Sequence, residues 1–144
     1  MARNIDLLII SPGNNRIIYQ GLAKEYSAIE PPVWAGLLAK FARNQGYGTY
    51  LMDQEALGLS SEKIAQNTHD LNPRLVAIVV YGQQPSASTQ NMTMAEEICS
   101  KIHSQSPLIK ILLVGGHVSA LPEKTLNECD ADFVCQGEGP HTLQ

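Results

Sequence analysis

The chain has 144 residues, 44% hydrophobic and 17% charged, with 10 Lys+Arg against 14 Asp+Glu for a formal charge of −4. That length fits one domain of roughly 100–200 residues, able to bury about 70% of its unfolded surface. The apolar content and small net charge exclude a disordered chain, no apolar run approaches the ~18 residues of a membrane span, and the acidic balance argues against a nucleic-acid partner.

Taken in chain order, the first apolar run is Ile5–Ile10. It carries Asp6 and lacks a long apolar h-region, so no secretion signal is read and the cytoplasm is the expected location. Twenty-one residues without clear periodicity follow, from Ser11 to Pro31. Unstructured connections beyond ~12–15 residues are uncommon unless functional or disordered. This one holds Ile17, Ile18, Tyr19, Leu22 and Tyr26, too apolar for a solvated tail. It is expected either to fold over the strand ends, covering a ligand or docking a partner, or to pack on its own domain as a partly helical connector.

A helical pattern then places Trp34, Leu37, Leu38, Phe41 and Ala42 on one face, stopped by Gly46. A short run, Tyr50–Met52, ends at Asp53. The next helix repeats Ile64, Thr68 and Leu71, with Ser60 or Ser61 as cap and Asn72-Pro73 as terminator. Leu75–Tyr81 and Ile109–Val114 are near-continuous in Val, Ile and Leu, the composition of strands buried on both faces of a parallel sheet. Between them Met94, Ala95, Ile98 and Ile102 share a helical face, with Ser86 or Ser88 as cap and Pro107 beyond the end. Pro122 suits the first position of a short helix through Glu128. Phe133–Cys135 forms a fifth strand, and a last helix begins near Pro140. Strands alternating with helices predict an α/β domain, a three-layer α/β/α sandwich of flavodoxin-like (Rossmann-like) type around a five-stranded parallel sheet.

In such sheets ligands bind beyond the C-terminal ends of the strands. The loops there are Ser11-Pro12-Gly13-Asn14-Asn15, Gly82-Gln83-Gln84-Pro85-Ser86-Ala87-Ser88, Gly115-Gly116-His117-Val118-Ser119 and Gly137-Glu138-Gly139. They are rich in Gly, Ser, Asn and Gln and nearly free of charge. Glycine lets a backbone approach a ligand closely, and free backbone N–H groups can hold phosphates or amides. Gly and Ser also simply make tight βα turns, and that alternative stays open. His117, after a Gly-Gly pair at a strand end, faces the expected site as a ligand contact or a turn residue. His69 and His103 are expected on helix surfaces, and His141 near the chain end tells little.

Several chemistries lack their motifs. No G-x-G-x-x-G follows the first strand and no G-x-x-x-x-G-K-[ST] exists. Tyr81-Gly82 stands where a receiver domain needs an aspartate. Ser11-Pro12-Gly13-Asn14 has one hydroxyl where a flavodoxin phosphate loop has several. Cys99, Cys129 and Cys135 are odd in number, and no Cys-x-x-Cys spacing exists, so neither disulfide stapling nor a zinc or iron–sulfur site within this chain is expected.

The segment Leu112-Leu113-Val114-Gly115-Gly116-His117-Val118-Ser119-Ala120-Leu121-Pro122-Glu123, followed by Asp132-Phe133-Val134-Cys135-Gln136-Gly137-Glu138-Gly139, resembles the end of the cobalamin (B12)-binding N-terminal domain of B12-dependent radical SAM enzymes, of the anaerobic magnesium-protoporphyrin cyclase and methyltransferase type. Pro31-Pro32-Val33-Trp34-Ala35-Gly36-Leu37-Leu38-Ala39, with Gly46-Tyr47 and Asp53, is similar to that family's first helix and second strand. Asn72-Pro73-Arg74-Leu75-Val76 is similar to its lead-in to strand three.

The resemblance implies one cobalamin-binding domain over 1–144. Cofactor contacts would come from Ser11, Pro12, Gly13, Asn14, Tyr81, Gly82, Gln83, Gln84, Ser86, Gly115, Gly116, His117, Val118, Ser119, Gly137, Glu138 and Gly139. The corrin would lie on the loops after strands one, three and four, with the nucleotide tail entering between strand ends. The Asp-x-His-x-x-Gly motif that places a histidine on cobalt is absent, since Asn67, Lys101, Gly115 and Gly139 stand two residues before the four histidines. Cys-x-x-x-Cys-x-x-Cys is absent too. The resemblance therefore implies that the [4Fe-4S] cluster and S-adenosylmethionine belong to a missing downstream radical SAM domain, that the last helix is cut short at Gln144, and that this chain is not catalytic alone. The alternative is a stand-alone flavodoxin-like module that binds a nucleotide or flavin, or a protein partner.

Overall fold

The apolar runs form the centre of a parallel sheet. A computed structural model describes residues 5–13, 29–81 and 85–144. Its strands are β1 (Leu7–Ser11), β2 (Thr49–Asp53), β3 (Leu75–Val80), β4 (Lys110–Gly115) and β5 (Phe133–Cys135), in the order β2-β1-β3-β4-β5. All neighbours are parallel; Ile10 pairs with Met52 on one side and Ile78 on the other, and Val80 pairs with Gly115. The described helices are α1 (Val33–Asn44), α2 (Gln54–Leu57), α3 (Ser61–Leu71), α4 (Pro85–Gln105), α5 (Gly116–Ala120), α6 (Pro122–Glu128) and α7 (Gly139–Leu143). This is the flavodoxin-like three-layer α/β/α arrangement. The Ser11–Pro31 connection lies largely outside the described residues.

Each sheet face carries its own core. On one, Leu7, Ile9, Ala77, Val79, Leu112, Val114 and Cys135 pack against Ala35, Leu38, Ala39 and Ala42 of α1. On the other, Leu8, Ile10, Val76, Ile78, Val80, Ile111 and Leu113 pack against Ile64 and Ala65 of α3 and Met92, Ala95, Ile98, Cys99 and Ile102 of α4. Burying such a side chain is worth about 1.5–3 kcal/mol each, so period-2 alternation within continuous apolar strands serves both layers at once.

Local chemistry sets the helix ends. Ser60 Oγ accepts from Lys63 N at 3.2 Å, and Asn72 turns left-handed (φ 45°) ahead of Pro73. Asp53 Oδ1 accepts from Glu55 N and Ala56 N, which starts α2 directly at the end of β2.

Two expectations are corrected. The buried face of α1 is Ala35, Leu38, Ala39 and Ala42, whereas Trp34 and Leu37 are exposed and Phe41 is half-buried. Three alanines let the helix approach the sheet closely, which turns the larger residues outward. And α4 begins at Pro85, so Ser86 and Ser88 lie inside it rather than capping it.

Asp132 ties the start of β4 to β5. Its carboxylate accepts from Ile111 N at 2.9 Å and Lys110 Nζ at 2.6 Å. Partial burial pushes its pKa up, but the Lys110 and Ile111 hydrogen bonds outweigh this and hold it below the ordinary 3.8. Asp132→Asn should cost about 1–2 kcal/mol at neutral pH in urea unfolding. Because the folded pKa is depressed, that stabilisation is full above the unfolded value and lost as pH falls through the folded one. The gap between wild type and variant should therefore close below about pH 4; a gap unchanged in acid would show that the carboxylate charge is irrelevant.

Candidate functional site

The chain leaves β1 toward β2 on one side and leaves β3 toward β4 on the other. A crevice therefore opens between the C-terminal ends of β1 and β3, the switch point where open α/β sheets take ligands. Ser11, buried Pro12 and Gly13 form one wall, and Tyr81 stands at the other.

The β1 wall is held from below. Gly13 N donates to Gln54 Oε1 at 2.9 Å. Gln54 is buried, and its Nε2 donates to Leu59 O at 3.2 Å and contacts Met94 Sδ at 3.4 Å. A Cβ on Gly13 would stand 2.8 Å from Glu55 Cβ and 3.0 Å from Glu55 N, so only glycine lets β1 run this close to α2.

The corner between β3 and β4 rests on Ser88. Its hydroxyl, 2% exposed, donates to Val80 O at 2.6 Å and accepts from His117 N at 3.1 Å. A Cβ on Gly115 would collide with the Val80 carbonyl oxygen and stand 3.0 Å from its carbon, whereas one on exposed Gly116 would meet only Ser88, at 3.7 Å or more. His117 Nδ1 lies 3.1 Å from Thr89 Oγ1. Ser119 Oγ accepts from Gly137 N at 2.9 Å, which joins the β4 and β5 edges, and Gly137 needs its glycine for a φ of 89°.

Aromatic surface closes the α1 side. The exposed Trp34 ring packs on Tyr81 at 5.2 Å, tilted by 31°. Burial, and then the charges of Cys135 and Glu138, push the Tyr81 phenol above its ordinary pKa, so it stays a neutral group at physiological pH. Behind Tyr81, Asn91 Nδ2 makes a long 3.5 Å hydrogen bond to Tyr81 O. Among the described residues, buried Asn91 Oδ1 has no partner.

This edge is hydrogen-bonding and glycine-lined, with Glu55 and Glu138 as its nearby charges. The family model of the B12 binding domain matches residues 19–144. The chain belongs to the B12-binding domain family.

No curated protein sequence matches this B12-binding domain. Among solved structures it is similar to the radical S-adenosylmethionine methyltransferase TsrM of Kitasatospora setae, determined with a tryptophan substrate and a SAM analogue. The TM-score is 0.73 at 15% identity, and the match covers 99% of this chain but 24% of that one. It is also similar to a putative pilus assembly-related protein of Burkholderia pseudomallei, with a TM-score of 0.57 at 13% identity, covering 99% of this chain and 87% of that one. At these identities the likeness is one of fold.

Within the B12-binding domain the expected residues do not all lie on one edge. Ser11, Pro12, Gly13 and Tyr81 flank the crevice, and Gly115, Gly116, His117, Ser119 and Gly137 line the adjoining edge. Val118 is fully buried in the core and anchors α5, Gly139 is buried against Leu38 and Val114, and Glu138 is the exposed residue before α7. Ser86 lies in the first turn of α4. Asn14, Gly82, Gln83 and Gln84 lie outside the described residues. Sequence reasoning missed Trp34, Gln54 and Asn91 as site residues, and read Ser88 only as part of the loop after strand three or as a helix cap. A signal for two existed: carried back from Ile102 through Ile98 and Ala95, the buried stripe of α4 reaches Asn91 and Ser88, polar residues at core positions.

Of the cysteines, Cys135 touches this edge, its Sγ 3.9 Å from Gly137 O and 3.3 Å from Thr142 Oγ1. All three are buried and free; burial pushes Cys99 well above the usual thiol range and Cys129 up to about 11, which keeps both protonated.

Proposed function

We propose that this domain binds cobalamin across the crevice between β1 and β3, and that it serves as the cobalamin-carrying module of a radical SAM methyltransferase or cyclase. The [4Fe-4S] cluster and S-adenosylmethionine would belong to another domain of the same longer chain. The observation that carries the cobalamin reading is the crevice at the switch point, where Gly13 lies too close to Glu55 for a side chain on one wall, Tyr81 stands at the other, and Gly115 lies too close to Val80 at the adjoining corner. A corrinoid periphery is made of uncharged carboxamides, which need close backbone and neutral side-chain partners rather than fixed charges. Ser11–Gly13, Tyr81, Gly115–His117, Ser119 and Gly137–Gly139 would hold it, with Trp34 beside Tyr81 as apolar cover. When bound, cobalamin supplies a cobalt centre able to carry a methyl group. This chain's residues bind and orient it. No Asp-x-His-x-x-Gly motif stands in this sequence, so a bound cobalt would take no histidine from that motif. The radical SAM reading is supported by the Gly-Gly-His, Leu-Pro-Glu and Gly-Glu-Gly segments and by the fold shared with TsrM.

Purified protein mixed with hydroxocobalamin and desalted should retain corrin absorbance. Gly116 is the clean probe of the site, because its Cβ direction is open except toward Ser88. Gly116→Val should keep a cooperative melt close to wild type and lower cobalamin affinity by about tenfold, the effect of crowding a ligand with the three carbons of the valine side chain. A colourless wild-type eluate would sink the stand-alone binding reading and favour a nucleotide-binding or protein-interaction module. Unchanged affinity in Gly116→Val would move the site elsewhere.

A further inference from the structure

We infer that Asn91 is a ligand contact of the crevice: its Oδ1 accepts a hydrogen bond from an uncharged N–H or O–H donor on the cobalamin periphery. The inference rests on the cobalamin reading and deepens it by naming a residue that no glycine or loop motif points to.

Asn91 is 9% exposed, and its side-chain oxygen is fully shielded with no partner among the described residues. Buried acceptors are almost always paired, because an unpaired one forfeits its hydration without replacement. An orphan in a core is a liability; an orphan beside a binding crevice is a receptor for a donor that arrives with the ligand. Its position settles which of these applies. α4 follows β3, so its first turns stand at the C-terminal edge of the sheet. Thr89 on one flank meets His117 beyond β4, while Met94 on the other meets Gln54 and Ser61 beyond β2. Asn91 is on the Met94 flank, one turn nearer the strand ends, with its amide nitrogen on Tyr81 O. That is the side of β3 that faces β1, where the crevice opens. The Tyr81 bond fixes which end of the amide points onward: Nδ2 is held by the backbone and Oδ1 is left to accept.

The donor can be a ring carboxamide or a group of the nucleotide tail, and two ligands separate these sources. Binding of hydroxocobalamin and of cobinamide, which lacks the nucleotide, would be measured by absorbance titration for the whole chain, Asn91→Leu and Asn91→Ala. Leucine is close to isosteric with asparagine and removes the orphan acceptor; alanine cannot crowd the crevice. Ligand-free melting of the leucine variant should stay close to wild type, since removing the unpartnered Oδ1 offsets the loss of the long Nδ2 bond to Tyr81 O. Its cobalamin affinity should fall by about tenfold, the loss of one hydrogen bond in a shielded site, and the alanine variant should fall alike. An equal loss for cobinamide assigns the donor to a ring carboxamide, and a loss confined to cobalamin assigns it to the tail. Both variants binding both ligands within twofold of wild type would overturn the assignment, the orphan then being an uncompensated acceptor of the core. A wild-type protein that binds neither ligand overturns the cobalamin reading itself, a result visible before any variant is made.

Discussion

Gly115→Ala should lower the melting temperature by about 10 °C, corresponding to about 3 kcal/mol for a domain of this length. The cause is local. Gly115 ends β4 in register with Val80, and the Cβ of any other residue would be driven into the Val80 carbonyl oxygen, with Val80 C at 3.0 Å and Val80 Cβ at 3.2 Å behind it. All three atoms belong to Val80, a fully buried strand residue with little room to yield. Relief requires the ends of β3 and β4 to part, which also strains the Ser88 Oγ bond to Val80 O. The φ of Gly115 is 166°, extended backbone open to any residue, so the requirement is contact and not conformation. Thermal unfolding followed by circular dichroism measures the effect; a shift of less than about 2 °C would mean that the strand ends separate freely. Cobalamin affinity should drop as well. Because the fold is weakened first, this variant tests the architecture of the edge, and Gly116→Val tests its occupancy.

The contrast between these two adjacent glycines marks what was legible in the sequence. Both stood out as one Gly-Gly pair, and nothing in the pair says which glycine the fold needs and which leaves room for a ligand. That distinction comes from the β3–β4 register. The strands themselves were legible, because Leu75–Val80 and Lys110–Gly115 carry unbroken apolar runs that only a doubly covered parallel sheet uses. The buried face of α1 was misread because its apolar stripe is wider than its contact: Trp34 and Leu37 fit the helical period yet remain exposed, and small alanines make the contact. The four- and five-residue helices α2 and α5 were invisible to periodicity, since each is set by what precedes it, Asp53 for α2 and the end of β4 for α5. Glycine and serine loops announced the edge, but the groups that hold it in place do not look like site residues. Gln54 and Asn91 are polar side chains inside helices, where composition reads them as ordinary surface, and Ser88 reads as a loop or cap residue. Only burial shows that each is spent on a backbone group of a strand-end loop: Gly13 N, Val80 O and Tyr81 O.

Ser88→Ala is the second large effect, about 2 kcal/mol in urea unfolding, because one hydroxyl serves two backbone groups. Without it Val80 O loses its 2.6 Å donor and His117 N its 3.1 Å acceptor, and the residue is 2% exposed, so water does not readily replace it. The second loss is the functional one. His117 N lies in the first turn of α5, so its anchor sets where Gly116 and His117 stand relative to β3. Under the cobalamin reading, affinity should therefore fall by more than stability alone explains, seen as weaker binding at temperatures where the variant is fully folded. The link to Gly115 can be measured directly. Both substitutions act on the same Val80 carbonyl, and once the methyl of Gly115→Ala has displaced it the Ser88 bond is already compromised. The double variant should be less destabilised than the sum of the single ones by about 1 kcal/mol. Strict additivity would separate the two residues and leave Ser88 as an anchor of α5 alone, whereas a shortfall ties the β3 carbonyl, the α4 hydroxyl and the β4 glycine into one corner of the strand-end edge.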